Sequence, residues 1–79
     1  MFTVKEAIDA FHEQKRDATV KDIRDYGDKY LFTAFITEND MDPFYLVDKR
    51  SGDISHYTIA EDLPRYYGSS VIWSDKNRY

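Results

Sequence analysis

The chain has 79 residues, no cysteine, and a net charge of −4 from eleven Lys and Arg against fifteen Asp and Glu. That excludes a disulfide framework and a thiolate metal site, and it disfavours nucleic acid as a partner, because phosphate-backbone binding needs a basic face. No apolar run approaches the about 18 residues of a membrane span, and the start MFTVKEAIDAF lacks the apolar stretch of a signal peptide, so no membrane association and a cytoplasmic location are expected.

The length predicts one domain over residues 1–79, and a chain this short buries only roughly 60–65% of its unfolded surface. Stability must come from the core, and the seven Tyr, five Phe and one Trp supply large buried areas per residue. Thr3-Val4-Lys5-Glu6 has the spacing of a capping box, in which Thr3 and Glu6 satisfy each other's backbone amides. After it, Val4, Ala7, Ile8 and Phe11 recur at three- and four-residue spacing, predicting an amphipathic helix from Val4 to Lys15. Its apolar stripe suits a sheet better than a partner in a domain so short of core.

After a polar connection at Arg16–Thr19, Val20–Tyr26 reads as a first strand. Val20 and Ile23 break the alternation, which predicts a bulge or a frayed edge. Gly27-Asp28 makes a tight turn into Tyr30–Thr37. There Tyr30, Phe32, Ala34 and Ile36 take one face and Leu31, Thr33, Phe35 and Thr37 the other. A strand apolar on both faces belongs in the middle of a sheet. Glu38 to Pro43 is a loop, since Pro43 cannot donate to a ladder and drives Asp42 out of helical geometry.

Phe44–Tyr57 predicts a hairpin: an apolar run, the polar loop Asp48-Lys49-Arg50-Ser51-Gly52, and a second alternating run from Ile54. Gly52 falls where such a loop needs a positive φ. Thr58-Ile59-Ala60-Glu61 is a second capping-box match, predicting a short helix that starts after Thr58 and ends or breaks near Pro64. Gly68-Ser69-Ser70 is a breaker, Val71-Ile72-Trp73 is read as an added edge strand or a segment packed back on the sheet, and Ser74–Tyr79 as a frayed tail. The sum is an α+β fold: an N-terminal helix on an antiparallel meander of three to four strands, with a short C-terminal helical segment.

The segment Tyr45 through Ile54, YLVDKRSGDI, has the form apolar–Val–Asp–Lys–x–x–Gly–x–Ile. It resembles the strand–turn–strand of the PepSY-like group of small domains, matching at Val47, Asp48, Lys49, Gly52 and Ile54. The following Tyr57–Leu63, YTIAEDL, is similar to a segment of short proteins from phages and Gram-positive bacteria. The resemblance implies a phage or bacterial source and brings no catalytic residues. Members of that group are commonly exported or membrane-attached, and some restrain peptidases.

Candidate chemistry is sparse. His12 and His56 stand in no metal-ligand spacing and beside no serine nucleophile, so each reads as a surface or half-buried structural histidine. Glu38, Asp40 and Asp42 alternate as cation ligands do, but without the central glycine and distal glutamate of a calcium loop. They read as a solvated turn, and neither metal nor cofactor is expected. No phosphate loop or nucleophile elbow is present, so a hydrolase using His56 with a nearby carboxylate is the least favoured reading.

Tyr66, Tyr67 and Trp73 are either interface anchors or cover for the sheet, and both readings stand; Tyr45 and Tyr57 read as core or sheet cover. The favoured function is a small non-enzymatic protein-binding or inhibitory module. Its partner is a protein that meets Tyr66, Tyr67 and Trp73 or the acidic Glu38, Asp40 and Asp42. The alternatives are a homodimer in which Val71-Ile72-Trp73 or the first strand pairs across a dimer edge and, less favoured, an acidic mimic of nucleic acid.

Overall fold

The first helix begins where its capping residues stand. In the computed structural model of the chain, which describes residues 1–36 and 42–75, the Thr3 hydroxyl accepts from the Glu6 amide at 3.2 Å and the Glu6 carboxylate accepts from the Thr3 amide at 2.9 Å. Helix α1 runs over Val4–Gln14 with Lys15 as its C-cap, one residue shorter than its periodicity predicts. Its apolar stripe lands on a sheet. Ala7 and Phe11 are fully buried, and the Phe11 ring stacks on Phe32 at 4.9 Å and meets the Tyr45 ring edge-on at 5.5 Å.

The sheet has five strands, β1 (Thr19–Tyr26), β2 (Lys29–Phe35), β3 (Phe44–Asp48), β4 (Ile54–His56) and β5 (Val71–Ser74), in the order β4-β3-β2-β1-β5. Every pairing is antiparallel. The expected bulge is present: between Val20↔Ala34 and Asp22↔Thr33 the register skips Lys21. β2 is central, as two apolar faces demand, but it stops at Phe35; Thr37 lies outside the described residues.

Register assigns the two faces. Trp73, Ile23, Phe32, Tyr45 and His56 stand in one row, and Tyr30, Val47 and Ile54 in the next, all on the α1 side. Arg24, Leu31, Leu46 and Ser55 stand in a row on the opposite face. Leu31 is fully buried there although α1 lies on the other side. The chain from Tyr57 to Ser69 crosses this second face. Tyr57 meets Tyr26 edge-on at 5.7 Å, and Tyr66 meets Phe44 at 5.7 Å. Tyr45 is therefore core on one side, and Tyr57 is cover on the other.

Three expectations for the C-terminal third are corrected. The segment after Thr58 is only a 3₁₀ turn, Ile59–Glu61, because the Thr58 hydroxyl donates to the Asp42 carboxylate at 3.0 Å and does not cap. Of the two outcomes expected at Pro64, the break is seen and the end is not: the 3₁₀ turn stops before Asp62, and Pro64 sits in the first turn of α2 (Leu63–Gly68), where its missing N–H has no intrahelical partner to lose. The chain adds a fifth strand, so Ser74 belongs to β5 and not to a tail, while residues 76–79 lie outside the described part.

The β3–β4 loop is held by Asp48, whose Oδ1 accepts from the Arg50 and Ser51 amides at 2.8 and 3.1 Å and whose Oδ2 meets the Lys29 ammonium at 3.1 Å. The two backbone amides, then Lys29, hold its carboxyl well below the usual range, at about 2. The native value lies below the unfolded one. The stabilisation is therefore complete above the ordinary carboxylate pKa of about 4 and is lost as pH falls toward about 2. Asp48→Asn keeps an accepting oxygen but cannot titrate. It is expected to lower the melting temperature at neutral pH and to flatten, without abolishing, the fall in stability between about pH 4 and pH 2, since Asp25 and Glu6 are shifted the same way. Melting curves across that window decide it, and unchanged slopes would remove Asp48 from the account.

Candidate functional site

Two arginines help to position the C-terminal arm. Arg24 leaves β1 on the face opposite α1, and its Nη1 donates to the carbonyls of Tyr66 at 3.1 Å and Ser69 at 3.0 Å. Its guanidinium lies 4.2 Å from the centre of the Tyr66 ring. Arg65 makes the parallel contact one strand-end away, donating to the Tyr26 carbonyl at 3.1 Å and stacking on that ring at 4.4 Å. The planar guanidinium suits both tasks, since it bonds carbonyls in plane and stacks with its face.

Arg24→Lys keeps the charge but loses the planar stack on Tyr66 and the fixed direction of the two Nη1 bonds, at a cost of about 1–3 kcal/mol. Amide exchange is expected to quicken in α2 and β5 well before β2 and β3. Uniform acceleration would mean that Arg24 does not hold the arm in particular.

Tyr66, Tyr67 and Trp73 do not form one surface. Tyr66 is half-buried between Arg24 and Phe44 and covers the sheet. Trp73 is half-buried on the α1 face, opposite Ile23. Tyr67 is the exposed member, 74% accessible, with its ring edge-on to Tyr66 at 5.4 Å. Leu63, four residues before it and so on the same side of α2, is also exposed, as are Val71 and Ile72 of β5. Of these three, the sequence points to Val71 and Ile72 only as a dimer edge, and it does not single out Leu63. The signal available was the i, i+4 spacing of Leu63 and Tyr67, and an apolar tripeptide ending the sheet.

Of the acidic group, Asp42 is described, and Glu38 and Asp40 lie outside the described residues. The Asp42 carboxylate accepts from Thr58 and lies 3.6 Å from the His56 Nε2, which also contacts the Asp42 backbone carbonyl at 2.9 Å. This places a carboxylate beside His56 but in the wrong order for nucleophilic catalysis. The Thr58 hydroxyl donates to the carboxylate, and among the described residues no hydroxyl donates to the imidazole. His12 contacts the Ala18 carbonyl at 3.2 Å, at the junction of α1 and β1.

A cleft of about 380 Å³ lies between the β1–β2 turn and α2, with Asp25, Tyr26, Arg65 and Ser69 in its wall. Burial first, and the neighbouring Tyr57 next, push the Tyr26 hydroxyl up to about 12, so it keeps its proton at neutral pH. A second cleft of about 220 Å³, walled by Ile8, His12, Val20 and Trp73, separates α1 from the β1–β5 side of the sheet. Among the described residues, no three His, Asp or Glu side chains are grouped as a metal site, and no helix is long and apolar enough to cross a membrane.

Compared with protein-family models, with curated proteins and with solved structures, the chain matches none.

Proposed function

We propose that this chain is a small non-enzymatic binding or inhibitory module that docks on a protein partner through α2 and the adjoining strand β5. The observation that carries this reading is Tyr67, a 74% exposed ring on a helix that Arg24 pins to the sheet from beneath. A tyrosine is large, stiff and amphipathic, which is why such rings recur among interface hot spots. On an anchored helix it loses little freedom on binding, so more of the contact energy remains as affinity. Leu63 adds apolar area on the same side of the helix. Tyr66 and Trp73 act from within, holding α2 and β5 to the two faces of the sheet.

Affinity capture from a bacterial lysate tests the reading; the phage-like and PepSY-like resemblance suggests that source. A partner retained at high salt by the wild type and lost with Tyr67→Ala, at an unchanged far-UV spectrum, is the expected result. A partner released by salt and indifferent to Tyr67→Ala would place docking on the acidic surface and overturn the assignment to α2.

A further inference from the structure

We infer that an ordered water is held between the sheet and the C-terminal arm, bridging Asp22, Arg24 and Thr33. Each of the three buries a polar atom that meets no hydrogen-bond partner in the protein: Asp22 Oδ1, Arg24 Nε and Thr33 Oγ1. Buried polar groups without a protein partner are where internal waters sit. Register brings the three together. Asp22 and Thr33 stand opposite each other on β1 and β2, and Arg24 is two positions along β1, so all three share the face away from α1. The bulge at Lys21 puts Asp22 there. Val20 and Ile23 both join the core under α1, and an unbroken alternation from Val20 would have turned Asp22 to α1 as well. The Tyr26 hydroxyl is a fourth such atom, on a ring that lies against Tyr57.

The occupant follows from the chemistry of the three atoms. An arginine Nε only donates, a carboxylate oxygen accepts, and a hydroxyl does either. Arg24 Nη1 is committed to the Tyr66 and Ser69 carbonyls, which fixes the direction of Nε. An anion here would face the Asp22 carboxylate and a cation would face the Arg24 guanidinium, and a like charge in a partly dry site is costly. Water is neutral. It can accept from Nε, donate to Asp22 Oδ1 and take Thr33 Oγ1 as its third partner, and three partners are usual for a buried water. Cross-strand neighbours such as Asp22 and Thr33 have Cβ atoms about 4.5–5.5 Å apart, and a diagonal pair such as Arg24 and Thr33 about 7–8 Å. Hydrogen bonds of about 2.8 Å on either side of one water span such gaps once the side chains are counted. The cover is apolar: the Tyr66 ring lies on the guanidinium at 4.2 Å and meets the ring of Phe44, which stands beside Thr33 on β3. The inference concerns the underside of the arm and stands apart from docking on its outer side.

A high-resolution crystal structure of the full chain tests it. A density peak about 2.7–3.2 Å from Asp22 Oδ1, Arg24 Nε and Thr33 Oγ1 is expected. No peak, a peak that misses any one of the three, or direct contact between Asp22 and Arg24 overturns the inference. So does a peak about 2.0–2.6 Å from the two oxygens, the distance of a metal cation. Should crystals fail to grow, oxygen-17 magnetic relaxation dispersion in solution decides. Thr33→Val keeps the shape of the side chain and suits a strand, but it removes the hydroxyl. It should lower the number of long-lived waters by about one per chain, while Thr58→Val, at an exposed hydroxyl, leaves that number unchanged. A number unaffected by Thr33→Val, or lowered equally by Thr58→Val, overturns it.

Discussion

Phe11→Ala is expected to remove about 3–5 kcal/mol of the chain's stability. Phe11 is fully buried, and its ring is the piece of α1 that reaches the sheet, stacked on Phe32 and edge-on to Tyr45. Removing a buried phenylalanine costs about 3–5 kcal/mol. A chain of 79 residues has a total stability of only about 4–12 kcal/mol. The loss is therefore at least about a quarter of the total. Phe11→Leu keeps most of the volume and should lose far less, so the pair separates the ring's packing from any general intolerance of the site. Urea unfolding measures both. A loss below about 1 kcal/mol for the alanine variant would mean that α1 is not part of the main core.

Gly52→Ala is expected to cost about twice as much as Gly27→Ala, although both glycines have the same backbone conformation. Gly27 has φ +78° and Gly52 φ +77°, so in each an alanine meets the left-handed penalty of about 1–2 kcal/mol. Around Gly27 there is open space within 4 Å. At Gly52 a Cβ would stand 2.8 Å from the tip of the Phe2 ring.

The Phe2 backbone is held in place, so the ring can yield only by turning about its own side-chain bonds. The Phe2 amide donates to the Lys49 carbonyl at 2.6 Å, and the Tyr30 hydroxyl donates to the Phe2 carbonyl at 2.8 Å. Forcing the two together adds about 1–3 kcal/mol. In a domain this small each kcal/mol moves the melting temperature by about 4–8 °C. Phe2→Ala should then cost less in the Gly52→Ala background than in the wild type, a coupling that a double-mutant cycle reads directly. Strict additivity would show that the ring does not bear on the loop.

The parts of the fold legible in the sequence are those encoded by neighbouring residues. The Thr3–Glu6 box, the α1 stripe, the two-faced β2, the irregular β1 and the positive φ of Gly52 all rest on spacings of a few positions, and all are present. What was misread turns on partners far along the chain. Thr58 looks like a cap until Asp42, sixteen residues earlier, takes its hydroxyl. Pro64 reads as a stop or as a start according to where the preceding turn ends. That β5 lies beside β1 has no local signature, because Val71-Ile72-Trp73 would suit either edge. The site is subject to the same limit. Tyr66, Tyr67 and Trp73 are close in sequence, yet a β-strand and a helix turn them to the sheet, to solvent and to the opposite face.

The position of β5 bears on how the chain is made. Arg24 and its anchor Ser69 are 45 residues apart. At about 5–20 residues per second a ribosome needs several seconds to cover that interval. During it α1 and the β1–β4 meander can assemble, but the outer side of β1 has no neighbour. β1 spends this time as the rim of an unfinished sheet, and its residues suit that condition. It is bulged at Lys21, and it carries Lys21, Asp22, Arg24 and Asp25 among its eight positions. Charges and bulges are what discourage a nascent strand from pairing with a neighbouring chain. A strand that is interior in the finished protein thus carries the composition of one that had to wait for its partner.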